Sequence, residues 1–247
     1  LILNKSEKYK EALKNVPELE AYLLEESGLP GPRANLELVY AAADTFDEEY
    51  LKHLVSYIPD KAPDNSPYLF LALCGVVGLG RLASEGKKEY LETLRTFASD
   101  PRWRVREGVA MALQTVGDRD MVLLLSEMKK WSTGNPLEKR AVAAALCEPR
   151  LLHKREEAQE VLQILDNITT SIEEVENRKS DEFKTLRKGL GYCWSVVVAA
   201  LPDAGKKLME KWIESSDKDI RWIMNENLKK NRLIKMDSIW VEQCKQK

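Results

Sequence analysis

Six tryptophans, Trp103, Trp131, Trp194, Trp212, Trp222 and Trp240, are the side chains of this chain most able to do more than fill space. Burial in a core accounts for most of them. Trp103 and Trp222 differ because arginines adjoin them: Arg102, Arg104 and Arg106 surround the first, and Arg221 precedes the second. A ring beside guanidinium groups can stack on a planar ligand or anchor a partner peptide. Glu107 follows Trp103 by four residues, so on a helix an aromatic and a carboxylate stand one turn apart. Toward the C-terminus Asn225, Asn227, Lys229, Lys230, Asn231 and Arg232 crowd hydrogen-bond donors suited to phosphates or acidic peptides. A solvated helix end, favoured by the helix dipole, is the plainer reading of the same residues.

Other chemistry is not written here. The two histidines, His53 and His153, have no neighbouring metal ligands, and HExxH is absent, so neither a metal nor a cofactor is expected. The glycines of Gly75-Val76-Val77-Gly78-Leu79-Gly80 follow no strand and make no dinucleotide fingerprint. Small residues at those spacings let two helices approach closely. No nucleophile–base pair and no P-loop can be found. Cys74, Cys147, Cys193 and Cys244 are far apart without a CxxC, and three lie in apolar helical runs. That pattern predicts reduced, mostly buried thiols of a cytoplasmic protein. No apolar run reaches the roughly 18 residues of a membrane span, and no leader of signal-peptide type opens the chain.

The elements that position these residues are helices. Punctuation such as Gly28-Leu29-Pro30-Gly31-Pro32, Asp100-Pro101, Gly134-Asn135-Pro136 and Ser215-Ser216-Asp217 separates segments with apolar residues at three- and four-residue spacings. Ser99-Asp100-Pro101, Asn135-Pro136 and Ser216-Asp217 predict capped helix starts. One helix is written repeatedly: a basic residue, an apolar one three places on, a large apolar one seven places on. Arg106 leads to Val109 and Leu113, Lys139 to Val142 and Leu146, Arg187 to Leu190 and Trp194, Arg221 to Met224 and Leu228. The intervals between the basic residues are 33, 48 and 34 residues, a period that marks a helical solenoid. The long interval places an insertion at 153–181, read as an extended helix or a protruding loop.

The stretch Ser99-Asp100-Pro101-Arg102-Trp103-Arg104-Val105-Arg106-Glu107 resembles a HEAT repeat, and Ser216-Asp217-Lys218-Asp219-Ile220-Arg221 repeats the idea. The resemblance is strong over 95–235 and weaker over 1–94. It implies an all-α, HEAT-like α-α superhelix of six to seven antiparallel helix pairs, a single solenoid over 1–247. It also implies that turn Asp and helix Arg residues form a ladder between neighbouring repeats, with Arg106, Lys139, Arg187 and Arg221 in it. A narrower similarity, to bacterial HEAT-like alkylpurine DNA glycosylases, rests on Trp131-Ser132, on Lys139-Arg140-Ala141, and on Phe183 with Leu186-Arg187-Lys188-Gly189-Leu190-Gly191-Tyr192. It implies DNA contacts by Arg140 and Arg187, an aromatic contact by Tyr192, and Glu107 as the carboxylate that stabilises cationic charge at the sugar. Glu107 stands where that family has Asp, and Ser195 where it has Arg.

A net charge of −2 with 32% charged residues gives no global basic excess, so nucleic-acid binding would need a local stripe. The expectation is a non-catalytic scaffold that binds a protein or peptide on its concave face. Trp103, Arg106, Arg140, Arg187, Tyr192, Arg221, Trp222 and Lys229 are its contact residues. DNA binding or base excision with Glu107 is the alternative.

Overall fold

The structure, a computed structural model, describes residues 4–246. Among them it is all-α, with fifteen α-helices, one 3-10 turn at Pro149–Leu151 and no strand. Chain contacts divide it into two compact units that meet between Arg119 and Asp120.

The first unit holds α1 (Lys5–Asn15), α2 (Leu19–Glu26), α3 (Leu36–Thr45), α4 (Glu48–Val55), α5 (Leu69–Ser84), α6 (Tyr90–Phe97) and α7 (Trp103–Arg119). The second holds α8 (Met121–Trp131), α9 (Pro136–Leu146), α10 (Arg155–Thr170), α11 (Asp181–Ala200), α12 (Pro202–Ile213), α13 (Lys218–Leu228), α14 (Asn231–Met236) and α15 (Ser238–Lys245).

Caps begin many of these helices. Asn4, Asn35, Asp47, Asp120, Ser180 and Asp237 each accept a backbone N–H from the first turn that follows, groups the helix itself leaves unpaired. Asn135 and Glu138 complete a capping box ahead of Pro136. Asp217 caps α13 through the N–H groups of Asp219 and Ile220. At Ser99-Asp100-Pro101 the helix starts later than the sequence predicts, at Trp103. The reason is local: the Asp100 carboxylate accepts the Arg102 backbone N–H and two guanidinium N–H groups at 2.7–2.9 Å. Arg102, only 2% exposed, also donates to the carbonyls of Tyr57 and Ala62, fastening the 57–62 loop to the start of α7.

In each unit every second helix packs side by side. The first unit runs α1–α3–α5–α7, and the second runs α9–α11–α13–α15. Helix α5 is buried almost all round, because α3, α4, α6 and α7 surround it. Its glycines make this possible: a Cβ on Gly75 would meet Val55, one on Gly78 would meet Leu51, and one on Gly80 would lie 2.4 Å from the Ala112 backbone. In the second unit α11 is the central helix, flanked by α9 and α13. Three indole N–H groups are paired there: Trp194 donates to Thr169, Trp212 to Asp166 and Trp240 to Glu210. The four cysteines are buried and unbridged.

The 153–181 segment is the helix α10 followed by a run of turns. Those turns are clamped, since Arg178 donates to Asp217 and Asp219 on α13 and to the Ile172 carbonyl. Among the described residues no helix is long and apolar enough to cross a membrane.

Candidate functional site

The recurring basic residues do three different things. Arg106 donates to the carbonyls of Asp100 and Pro101, six and five residues back, at 2.6 and 2.8 Å. Arg221 repeats the geometry on the carbonyls of Ser215 and Ser216, at 2.8 and 3.0 Å. Both therefore tighten the turn that leads into their own helix. Arg187 reaches the neighbouring helix, where its Nε lies 3.1 Å from Asp219 on α13. That contact lacks hydrogen-bond alignment, so the buried Nε is held by charge rather than by a formed bond. Lys139 donates to the Ser171 hydroxyl at 2.9 Å.

In the first unit Trp103 and Glu107 stand one turn apart on α7, both exposed, Trp103 by 47%. The Arg104 guanidinium lies 4.3 Å from the Trp103 ring and donates to the Gly31 carbonyl. One neighbour of Trp103 is therefore a fixed cation, and half its surface remains open.

In the second unit most of the remaining candidates meet on the α9–α11–α13 face. Two glycines bring the helices together. A Cβ on Gly189 would touch the Arg140 stem, and one on Gly191 would touch Trp222 and Glu226 at 3.3 Å. Arg140 thus lies against α11 from one side and Trp222 from the other. The Arg187 guanidinium covers the Trp222 ring at 3.9 Å, a cation–π contact made stronger by partial burial. Tyr192, one residue beyond Gly191, is 47% exposed. Arg232 lies 4.9 Å from its ring centroid and donates to its hydroxyl, and the Lys230 ammonium lies 5.8 Å from the same ring. These side chains, with Pro149, Lys229 and Asn231, line an open cleft of about 430 Å³ with no carboxylate in its wall. Lys229 is paired with Glu226. Lys230 and Arg232 have no carboxylate within ion-pair distance among the described residues, so the cleft keeps uncompensated positive charge.

One sequence expectation is corrected: Asn227 is not a surface donor. It is fully buried, accepts the Ser195 backbone N–H at 2.7 Å and donates to the carbonyls of Leu190 and Ile223 at 2.8 Å each. Ser195 and Leu190 are five residues apart on α11, so the amide bridges two backbone groups of a neighbouring helix. Arg232, read in the sequence only as one of the 225–232 donors, lies nearer the Tyr192 ring than Lys230 does. Only the fold pairs residues 40 positions apart; the sequence signal was the donor cluster at 229–232.

Electrostatics separates framework from site. Burial alone would raise the Asp217 carboxyl, but Arg178 and the N–H groups of α13 outweigh it and hold the group below its ordinary value. Burial, with Cys193 as hydrogen-bond neighbour, pushes the Cys147 thiol well up, so it stays protonated and a poor nucleophile. Among the described residues no group of His, Cys, Asp and Glu is arranged to hold a metal.

No protein-family model matches the chain, and no curated protein matches it. Among solved structures, the crystal structure of an engineered protein from the Northeast Structural Genomics Consortium is similar at 14% identity, covering 98% of each chain. Its TM-score of 0.36 is too low to carry an argument about fold or function.

Proposed function

We propose that the chain is a non-catalytic binding scaffold of HEAT-like, α-α superhelical type that takes an acidic segment of a protein partner. The packing of every second helix within each unit supports the repeat reading, since that is how a solenoid builds its inner layer. One observation carries the functional reading: half-exposed Tyr192 is flanked by Lys230 and Arg232, neither of which has a carboxylate partner among the described residues. An amphipathic ring beside unpaired cations suits a partner segment with carboxylates and an apolar residue. Arg140, Arg187 and Trp222 extend the surface along α9, α11 and α13. Arg187 is itself bound to Trp222 and Asp219, so it shapes this surface more than it reaches out.

Nucleic-acid binding in the manner of the HEAT-like alkylpurine glycosylases is the second reading. The same carboxylate-free cleft favours it, because unpaired cations suit phosphates and an exposed ring suits a base. The resemblance names Glu107, in the first unit, as the carboxylate of such an activity. Salt titration against a labelled acidic peptide and a labelled duplex separates the two. A scaffold prefers the peptide. A DNA protein prefers the duplex, with a log–log salt slope near −0.9 per phosphate contacted, and loses lesion preference in Glu107→Gln.

A further inference from the structure

A second cleft in the same unit carries an inference independent of the Tyr192 surface. It opens between the C-terminal end of α8, the first turn of α9 and the outer side of α10, and encloses about 620 Å³. That volume falls in the range of small-molecule sites. Four of its wall residues are charged: Lys129, Lys139, Glu160 and Glu174. The other polar wall residues are neutral, among them Ser132, Gln163, Asn167 and Ser171.

Lys139 sets this cleft apart. The other recurring basic residues end on turn carbonyls or beside a carboxylate. Lys139 ends on a single hydroxyl, that of Ser171, which in turn donates to the Ile168 carbonyl. No carboxylate lies within ion-pair distance of the Lys139 ammonium among the described residues. Lys129 does not share this condition, because Glu160 neutralises it at 2.6 Å. A half-buried ammonium without a counter-ion is costly. Burial accordingly pulls the Lys139 pKa down, and Glu174 opposes this only at a distance. An anion entering the cleft would supply the missing partner.

The rest of the wall defines that anion. The two carboxylates disfavour a doubly charged ligand, and with Lys129 spent on Glu160 only one positive charge is unmatched at short range. Hydroxyl and amide side chains around it both donate and accept, which suits a ligand with several hydroxyls. Gln163 and Asn167 already face each other at 3.1 Å on one wall of α10.

We propose that this cleft binds a small singly charged hydroxy acid, its carboxylate paired with Lys139 and its hydroxyls bonded to Gln163, Asn167 and Ser132.

The test uses the full chain and three probe acids, lactate, gluconate and glucuronate, beside their neutral counterparts propane-1,2-diol, sorbitol and glucose. Calorimetry should show at least one acid binding about tenfold more tightly than its neutral counterpart, a difference of about 1.4 kcal/mol. The bound acid should also protect Lys139 from reductive methylation, read by peptide mass spectrometry. Lys139→Met should abolish the preference, and Lys139→Arg should retain part of it. Gln163→Ala, at an exposed position that leaves the fold intact, should weaken the acid severalfold without removing the preference for charge. Binding of none of the three acids would overturn the proposal. So would equal binding of acids and neutral counterparts, or a preference that survives in Lys139→Met.

Discussion

Asn227 joins α13 to α11 through two buried hydrogen bonds, with the Ser195 N–H and the Leu190 carbonyl, and a third returns to the Ile223 carbonyl of its own helix. Removing its amide withdraws these bonds from a buried interior, and each such hydrogen bond contributes about 0.5–1.5 kcal/mol. Asn227→Ala should therefore lose roughly 2–4 kcal/mol in urea unfolding followed by tryptophan fluorescence. The lone asparagine was visible in the sequence, but its role was not. An Asn in a polar C-terminal run reads as solvated, and only the approach of α11 turns it inward. Arg178 is a second residue whose work depends on distant partners. Its clamp holds Asp217 in the ionised form, and a carboxyl with a lowered pKa stabilises the fold above the ordinary value of 3.8. That stability is lost as pH falls below this value through the lowered one. Hydrogen exchange of α13 should show Arg178→Met less protected than the parent at neutral pH, with the gap closing as pH drops below about 4. A gap unchanged with pH would mean that Arg178 acts by packing alone.

At the scale of elements, glycine separates close packing from helix propensity. Alanine is a better helix former than glycine by about 1 kcal/mol. At Gly80 the new Cβ would lie 2.4–2.5 Å from the backbone and Cβ of Ala112, which cannot move without shifting α7. The clash wins, and Gly80→Ala should destabilise the protein by about 1–3 kcal/mol. At Gly189 the only contact is the Arg140 Cγ at 3.3 Å, the stem of a flexible side chain. There propensity wins, and Gly189→Ala should be neutral or up to about 1 kcal/mol more stable. Thermal unfolding of the two variants checks both signs. The glycine spacing along Gly75, Gly78 and Gly80 already pointed to close helix approach. The identity of the partner helices did not follow from it, because α4 and α7 lie on either side of α5 in the sequence and nothing local selects them. The helix starts at Asn135 and Asp217 were legible for the opposite reason: a cap is a contact over two or three residues. The late start of α7 is the exception, since Asp100 is spent on Arg102 rather than on the first turn.

For the whole molecule, the bulk charge of −2 conceals a local imbalance. Many of the lysines and arginines outside the Tyr192 cleft are paired with carboxylates on the same or an adjacent helix, and such pairs add little stability singly. Lys230 and Arg232 remain over, and on the proposed reading they receive a partner's negative charge. Trp103 is exposed on the first unit with Arg104 on its ring. The sequence singled out Tyr192 by motif and Lys229, Lys230 and Arg232 by composition, but that Lys230 and Arg232 return to the Tyr192 ring follows only from the fold.

The most direct test of an acidic protein segment as ligand is fluorescence anisotropy with a labelled peptide of glutamates and leucines. It is titrated at low and physiological salt against the parent chain and a Lys230→Glu/Arg232→Glu double variant. Binding should weaken as salt rises, fall at least tenfold in the double variant, and resist displacement by an excess of unlabelled DNA duplex. Peptide binding that is absent at low salt, or that the double variant retains in full, would contradict it.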